Sequence, residues 1–333
     1  MTINRQWLIN ANPRGRALTI EDFKYHEETL QALTSDEVRV KTTTLGFDPS
    51  QKGQMENVSG YASGNNVGDL MVGRGIGEVI ESSHPRFPVG SIVTGPLGWQ
   101  EYASVKPRLL ELIEDEDIAP SAYLGPLGST GLTAYFGLLR VGQPEPGDEV
   151  VISGAAGGVG SITGQIANLV GCHTTGIAGG SKKCDWLVNN VGFNHAIDYK
   201  SEHVKSRLRE LVPSGINIFF DNVGGDILND ALACIAPHAR VVVCGGISRY
   251  EQATLPQGPA NYFNIVFRQA RMEGFLLTAY SAEFAEARRR LKTWIANGDI
   301  TYKEDVQEGF ENIPKTLLRL FSGANFGKQI LNL

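Results

Sequence analysis

The chain has 333 residues, of which 42% are hydrophobic and 20% are charged, a balance typical of a globular protein rather than a disordered or fibrous one. Its length predicts two domains, each large enough to bury a core. The formal net charge of -6, without a dense Lys/Arg stripe, argues against nucleic acid or an anionic membrane surface as partner. No signal-peptide core or membrane-spanning apolar run is present, so we expect a cytoplasmic protein with a small-molecule partner.

The sequence pattern of the first part of the chain is typical of a β domain. Between residues 37 and 106 short apolar runs alternate with Gly-, Pro-, Asn- and Ser-rich segments, which predicts turn-punctuated strands. These strands are expected at Val38–Thr43, Val79–Glu81, Ser91–Thr94 and Tyr102–Val105.

From Thr130 onward apolar strands alternate with amphipathic helices, which predicts a parallel, doubly wound sheet. Strands are expected at Glu149–Ser153, His173–Ala178, Ala196–Tyr199, Ile216–Asp221 and Arg240–Cys244.

The tail predicts a helix over Ile313–Phe321 and a last strand over Lys328–Leu333, which could pair with the first domain. The sequence therefore predicts a mainly-β domain over residues 1–125, a nucleotide-binding domain over 126–300 and a C-terminal segment, 301–333, that returns to the first domain.

A glycine-rich turn follows the strand Glu149–Ser153 and opens an apolar helix that stops at Gly171. Strand, turn and helix come in the order that a dinucleotide site requires. Gly157 allows the main chain to approach a pyrophosphate, and Gly160 allows the helix to pack on the sheet. Ala155 stands where the fingerprint's first glycine would be.

The turn after the next strand indicates which dinucleotide is bound. His173–Ala178 is followed by Gly179-Gly-Ser-Lys-Lys183, without the Asp or Glu that would accept hydrogen bonds from a ribose 2'-hydroxyl. Lys182 and Lys183 are placed to neutralise a 2'-phosphate instead, so we expect NADPH.

No metal site is expected. Four cysteines, at positions 172, 184, 234 and 244, match neither a disulfide framework nor zinc-ligand spacing, and residues 1–110 contain none.

Several segments together resemble the zinc-independent medium-chain dehydrogenase/reductase superfamily, alkenal/one reductase branch, over nearly the whole chain. The segments are Gly98–Ala103, Gly131–Gly137, Ala155–Ser161, Gly179–Cys184, Ile197–Lys200, Phe220–Gly225, Arg271–Phe275 and Gly323–Lys328. The resemblance implies an α/β fold with a GroES-like mainly-β domain and a Rossmann domain. It also implies a homodimer that reduces the C=C bond of α,β-unsaturated ketones and aldehydes with NADPH.

The resemblance also implies which residues line the cofactor. Lys183 corresponds to the lysine that holds the 2'-phosphate, with Tyr199 beside it, and Thr133 corresponds to a residue near the nicotinamide. The other residues implied are Pro49, Ser50, Gly157, Gly158, Val159, Gly160, Ser161, Gly179, Asn222, Cys244, Gly245, Gly246, Ile247, Ser248, Tyr250, the short strand Phe275, Leu276 and Leu277, and Asn325.

A proton donor to the enolate is expected among tyrosines, because a phenol can donate without being ionised at neutral pH. Tyr61 is the first candidate and Tyr250 the second, followed by Tyr262 and Tyr280, while the 2'-hydroxyl of the nicotinamide ribose is a rival. The branch usually reads Asp-Pro-Tyr-Met-Arg where this chain has Asp48-Pro-Ser-Gln-Lys52. Two alternatives stay open, a zinc-free quinone oxidoreductase and a non-catalytic NADPH-binding protein.

Overall fold

The computed structural model describes residues 2–56, 64–115, 117–250 and 257–333. By internal contacts the chain divides into two compact units, Met1–Gly125 with Glu304–Leu333, and Pro126–Lys303.

The secondary-structure elements are named in chain order. The strands are β1 (Ile3–Ile9), β2 (Phe23–Thr29), β3 (Val38–Gly46), β4 (Gly75–Ser82), β5 (Ile92–Gly95), β6 (Tyr102–Val105), β7 (Glu111–Leu112), β8 (Glu149–Ser153), β9 (His173–Ala178), β10 (His195–Asp198), β11 (Ile216–Asp221), β12 (Ile235–Val243), β13 (Arg271–Gly274), β14 (Glu304–Glu308) and β15 (Lys328–Asn332). The α-helices are α1 (Ser50–Met55), α2 (Ser129–Phe136), α3 (Gly158–Val170), α4 (Ser181–Trp186), α5 (Val204–Leu211), α6 (Gly225–Leu232), α7 (Asn264–Phe267), α8 (Phe284–Ala296) and α9 (Ile313–Phe321).

The first unit is built on a mixed sheet with the strand order β14-β15-β3-β4-β5-β7, in which β6 also pairs with β3. β15 lies antiparallel to β3, so the last strand of the chain belongs to this unit's sheet. A core cluster of this unit packs around Trp99, whose ring lies 4.9 Å from that of Phe23 and 5.7 Å from that of Phe47.

The first unit contains elements that the sequence analysis did not predict. β1 and β2 pair antiparallel along their whole length. Most side chains of β2 are exposed, so this strand lacks the regular apolar alternation that marks a half-buried strand. The short helix α1 was also missed, because six residues with scattered apolar positions show no helical period.

The second unit is a six-stranded sheet with the order β10-β9-β8-β11-β12-β13, and every adjacent pair is parallel. The central strands β8 and β11 are nearly continuous apolar runs, as expected for strands covered on both faces. Five neighbouring strands each contribute a buried residue to one core cluster: Val151, Ile177, Ile197, Phe219 and Val241. The predicted α/β fold class is confirmed.

The chain leaves β8 toward β9 and β10 on one side and returns to β11 on the other, so the direction of winding reverses between β8 and β11. Ligands of doubly wound sheets bind outside the carboxyl ends of the strands at this switch point. The ends of β8 and β11 are therefore where the second unit would hold a ligand.

The predicted strand Phe275–Leu277 is wrong. β13 ends at Gly274, where its ladder with β12 also ends. Leu277 instead begins a 3-10 segment.

Candidate functional site

The glycine turn lies at the switch point and leads directly into α3. Gly154 has φ +60°, and the Gly157 N–H donates to the Gly154 carbonyl at 3.0 Å. A Cβ on Gly160 would lie 2.5 Å from that carbonyl oxygen and 2.7 Å from Ala155 Cα, so only glycine fits there. Ala155, the departure from the fingerprint, is completely buried and lets the turn pack on the sheet.

No side chain of the described residues caps the N-terminus of α3. The first N–H groups of a helix have no partner within the helix, so those of Gly158, Val159 and Gly160 are available to an anion. Ser161, in contrast, already donates its N–H to the Gly157 carbonyl at 3.1 Å. The turn therefore has the donors and the clearance that a pyrophosphate requires.

A buried carboxylate connects the ends of β8 and β11. Asp221 is 1% exposed, and its Oδ1 accepts from the Ser153 hydroxyl at 2.8 Å and from the N–H groups of Val223 at 3.0 Å and Gly224 at 2.9 Å. Burial raises the pKa of this carboxyl group, and the three hydrogen bonds oppose that rise.

The same network orients Asn222, a residue that the family resemblance places in the site. The Asn222 N–H donates to Ser153 Oγ and its side-chain amide donates to the Ser153 carbonyl, both at 2.8 Å. The loop after β12 is tied to the same place, because the N–H groups of Cys244 and Gly245 donate to the Asp221 carbonyl at 2.9 and 3.0 Å. Asn222, Cys244, Gly245 and Gly246 are thus brought to one edge of the sheet.

The other candidate residues of that loop are fixed against the turn that follows β11. The N–H of Ile247 donates to the Asn222 carbonyl at 3.3 Å, and Ser248 donates to the Val223 carbonyl through its N–H at 3.2 Å and its hydroxyl at 2.6 Å. Tyr250 follows the 3-10 turn Ile247–Arg249 as its C-cap residue.

At the end of β9 the structure places Gly179 beneath two side chains of the segment after β10. A Cβ on Gly179 would lie 2.9 Å from the Tyr199 hydroxyl oxygen and 3.0 Å from Lys200 Cε. Lys183 is half-buried on α4, and Lys182 beside it is exposed. The candidate phosphate-binding residues therefore surround the carboxyl end of β9.

Three more candidates of the second unit lie within α2 or directly after β13. Thr133 is half-buried on α2, and Phe275 and Leu276 follow β13 directly. Tyr280, a lower-ranked proton-donor candidate, stacks on Phe136 with ring centroids 4.8 Å apart, which is a packing role. Tyr262 is largely exposed beside Phe263.

The first unit holds Pro49, Ser50 and Asn325. Pro49 precedes α1 and Ser50 is its first residue, while Asn325 lies in the loop before β15 and donates to the Gly327 carbonyl at 3.1 Å. The buried Lys328 holds the segment before α1 in place, since its ammonium donates to the Phe47 carbonyl at 3.0 Å and to Asp48 at 2.6 Å. Tyr61, the first candidate proton donor, lies outside the described residues.

All four cysteines are free thiols. Burial raises the pKa of Cys172 and of Cys184 to about 11 and that of Cys244 to about 12, and it raises the pKa of Cys234 as well. Over the described ranges no group of three or more His, Cys, Asp or Glu side chains is placed to hold a metal ion.

Sequence reasoning missed Ser153, Asp221 and Asp198 as residues that organise the site. Asp221 lies inside the Phe220–Gly225 segment, so the motif contained a signal for it, but only Asn222 was assigned a role. Asp198 was missed because its partner Gly180 lies on the turn after the neighbouring strand.

Two protein-family models match the chain: "N-terminal domain of oxidoreductase" over residues 5–113 and "Zinc-binding dehydrogenase" over residues 158–293. The chain is 38% identical to 2-alkenal reductase (NADP(+)-dependent) of Nicotiana tabacum, with 89% of this chain and 87% of the relative covered. It is 34% identical to NADPH-dependent curcumin reductase of Escherichia coli, with 98% and 96% covered.

The crystal structure of CurA from Vibrio vulnificus in complex with NADPH matches with a TM-score of 0.93 and 34% identity, covering 98% of both chains. The fold and the uncapped glycine turn define a dinucleotide-binding oxidoreductase. More narrowly, the chain belongs to the zinc-independent medium-chain dehydrogenase/reductase superfamily, alkenal/one reductase branch.

Proposed function

We propose that the protein is an NADPH-dependent reductase of α,β-unsaturated ketones and aldehydes. The reaction adds a hydride to the β-carbon of the conjugated alkene and a proton to the α-carbon. The observation that carries this proposal is the uncapped glycine turn at the switch point, in a chain whose full-length relatives are named as reductases of alkenals and curcumin.

The residues present fit the cofactor. The free N–H groups at the start of α3 suit the pyrophosphate, and Gly160 keeps that approach clear. Lys183 and Tyr199 are proposed to bind the 2'-phosphate, which favours NADPH over NADH. When bound, NADPH supplies the hydride.

The remaining cofactor contacts are proposed from adenosine toward nicotinamide. In the second unit they are made by Gly179, Asn222, the loop 244–248 with Tyr250, residues 275–277 and Thr133. The first unit is proposed to contribute Pro49, Ser50 and Asn325. These side chains and main-chain groups would orient the reacting alkene and exclude water, which lowers the barrier without any chemistry of their own.

The proton donor to the enolate is proposed to be Tyr61, with Tyr250 as the second candidate. A phenol hydroxyl can stabilise the developing enolate oxygen by a hydrogen bond and then supply a proton. The packing of Tyr280 and the exposure of Tyr262 give neither residue a comparable role.

The test is a steady-state screen of purified protein with NADPH against enones, enals and quinones, followed by NADPH absorbance and by product mass. Enone or enal turnover with a saturated product is the expected result. Quinone turnover well above enone turnover would indicate the quinone oxidoreductase instead. Tight NADPH binding without turnover of any electrophile would indicate a non-catalytic binding protein.

We also propose a homodimer that works in the cytoplasm. Within the described part of the chain the outer edge of β13 has no strand partner, and an unpaired edge strand is a template for pairing. The segment before it exposes Phe263, Val266 (61%) and Phe267 (73%), an apolar surface that a second copy would cover. Light scattering at micromolar concentration tests the dimer, and cell fractionation tests the location.

None of the helices within the described ranges has both the length and the apolar character needed to cross a membrane.

A further inference from the structure

An acidic side chain reaches the turn after β9 from the neighbouring strand. Asp198 is the last residue of β10, and its Oδ1 accepts from the Gly180 N–H at 2.7 Å and from the Lys200 N–H at 3.0 Å. Its Oδ2 accepts from the Ser201 hydroxyl at 2.9 Å. One carboxylate thus joins the end of β9 to the segment after β10.

The Asp198 carboxylate is held in its ionised form by these bonds. The hydrogen bond from Gly180 is the main cause that lowers its pKa, and those from Lys200 and Ser201 add to it. Both oxygens face the protein's own donors. In an NAD-preferring site the acid that follows the second strand, here β9, accepts from the ribose 2'-hydroxyl instead.

The hydrogen bonds of the Asp198 carboxylate to the Gly180 and Lys200 N–H groups, called here the Asp198 bridge, determine where the neighbouring side chains lie. Gly180 has φ +97°, a conformation that few other residues adopt, and this turns its N–H back toward β10. Tyr199 and Lys200 then lie over Gly179, close enough that a Cβ there would contact both. Lys200 is held by its own N–H on the same carboxylate.

Three lysines follow the ends of β9 and β10, namely Lys182, Lys183 and Lys200, and three acids lie among them, namely Asp185, Asp198 and Glu202. The carboxylate of Asp198 is engaged with main-chain and hydroxyl donors, and that of Glu202 with the Asp198 N–H and with Arg207. A phosphate monoester carries about two negative charges at neutral pH and is bound by such a group of cations.

We propose that Asp198 is a positioning residue for the 2'-phosphate of the cofactor, and that Lys200 is a further phosphate-binding residue beside Lys183 and Tyr199. This inference rests on the NADPH binding proposed above. It assigns to Asp198 the shaping of a phosphate site rather than the recognition of a ribose hydroxyl.

The experiment measures the dissociation constants of NADPH and NADH with the intact protein and no alkene present, by fluorescence titration. Asp198→Ala removes the bridge and is expected to raise the Kd for NADPH about tenfold while changing that for NADH less than about threefold. Asp198→Asn keeps an oxygen for the Gly180 and Lys200 N–H groups, and its Kd for NADPH is expected to stay within about threefold of the unsubstituted protein.

Lys200→Met is expected to raise the Kd for NADPH about five- to tenfold and to leave that for NADH unchanged. The matched control is Lys315→Met on α9, an exposed lysine of the first unit, whose dissociation constants should not change. Circular dichroism and thermal unfolding identify any variant that fails to fold. If an Asp198 variant fails to fold, Lys200→Met still tests whether Lys200 binds the 2'-phosphate, because Lys200 is exposed.

Three results would overturn the inference. Asp198→Ala could weaken NADH binding more than NADPH binding, which would make Asp198 a ribose-binding acid. Asp198→Asn could lose as much NADPH affinity as Asp198→Ala, which would assign the effect to charge rather than position. Lys200→Met could leave NADPH binding intact. If the unsubstituted protein binds neither nucleotide, the proposed function fails before the inference is tested.

Discussion

Replacing Asp221 by alanine is expected to destabilise the second unit strongly. The substitution removes the acceptor of the Val223 and Gly224 N–H groups and of the Ser153 hydroxyl. The hydroxyl can rotate to another acceptor, but the two N–H groups are fixed, and leaving each without a partner costs about 1 to 3 kcal/mol. Two such groups together predict a loss of about 3 kcal/mol in the free energy of unfolding.

For a unit of this size that loss corresponds to a fall in Tm of about 6 to 12 °C, measured by calorimetry without ligand. Asp221→Asn is the control, because its amide oxygen can still accept from the two N–H groups. A fall of less than about 2 °C for Asp221→Ala would refute the reasoning.

The pH dependence of the same variants gives an independent test. Burial raises the folded-state pKa of Asp221 above its unfolded value, so the folded state holds the proton more tightly. The carboxyl group's contribution to stability is therefore greatest at a pH below the unfolded value, about 4, and is lost as the pH rises through the raised pKa. The stability of Asp221→Asn relative to the unsubstituted protein should increase over that interval, and a constant difference would contradict the sign.

Three further substitutions test the cofactor site and the chemistry. Gly160→Ala places a Cβ 2.5 Å from a main-chain oxygen and should raise the Kd for NADPH at least about tenfold in a fluorescence titration. Gly258→Ala, where a Cβ meets no atom of the described residues within 4 Å, should have no effect. Lys183→Ala should raise the KM for NADPH about tenfold or more, a loss of about 1.5 to 3 kcal/mol from a charge-assisted bond. An unchanged KM would transfer that role to Lys182 or elsewhere. Tyr61→Phe should lower kcat with little effect on NADPH binding, and full activity would favour the ribose hydroxyl or water as donor.

The central strands of the second unit could be predicted from sequence because they are buried on both faces. β8, β9 and β11 were predicted with the bounds that the structure shows, since apolar runs between turn residues mark them. β12 begins at Ile235 rather than Arg240, which was missed because a proline and the polar residues His238 and Arg240 interrupt the apolar pattern of its first half. The local sequence pattern therefore predicts the bounds of a strand where burial is uniform along it, and fails to do so where burial changes along the strand.

The glycine turn and the lysines of the candidate site were visible in sequence because each lies within a few residues of a strand end. Asp221 and Asp198 were not recognised, because their roles depend on strand register. Asp221 meets Ser153 across 68 residues of chain, and Asp198 meets Gly180 across 18. Only the parallel pairing of β8 with β11 and of β9 with β10 brings these partners together.

The four raised thiol pKa values have a consequence for an enzyme that handles conjugated alkenals. Such compounds alkylate cysteine by addition of the thiolate to the β-carbon, the carbon that receives the hydride in the proposed reaction. A pKa of about 11, as for Cys172 and Cys184, leaves roughly one thiol in ten thousand ionised at pH 7. The raised pKa values thus keep the thiols in the protonated form, which is a poor nucleophile toward the electrophiles that the protein is proposed to consume.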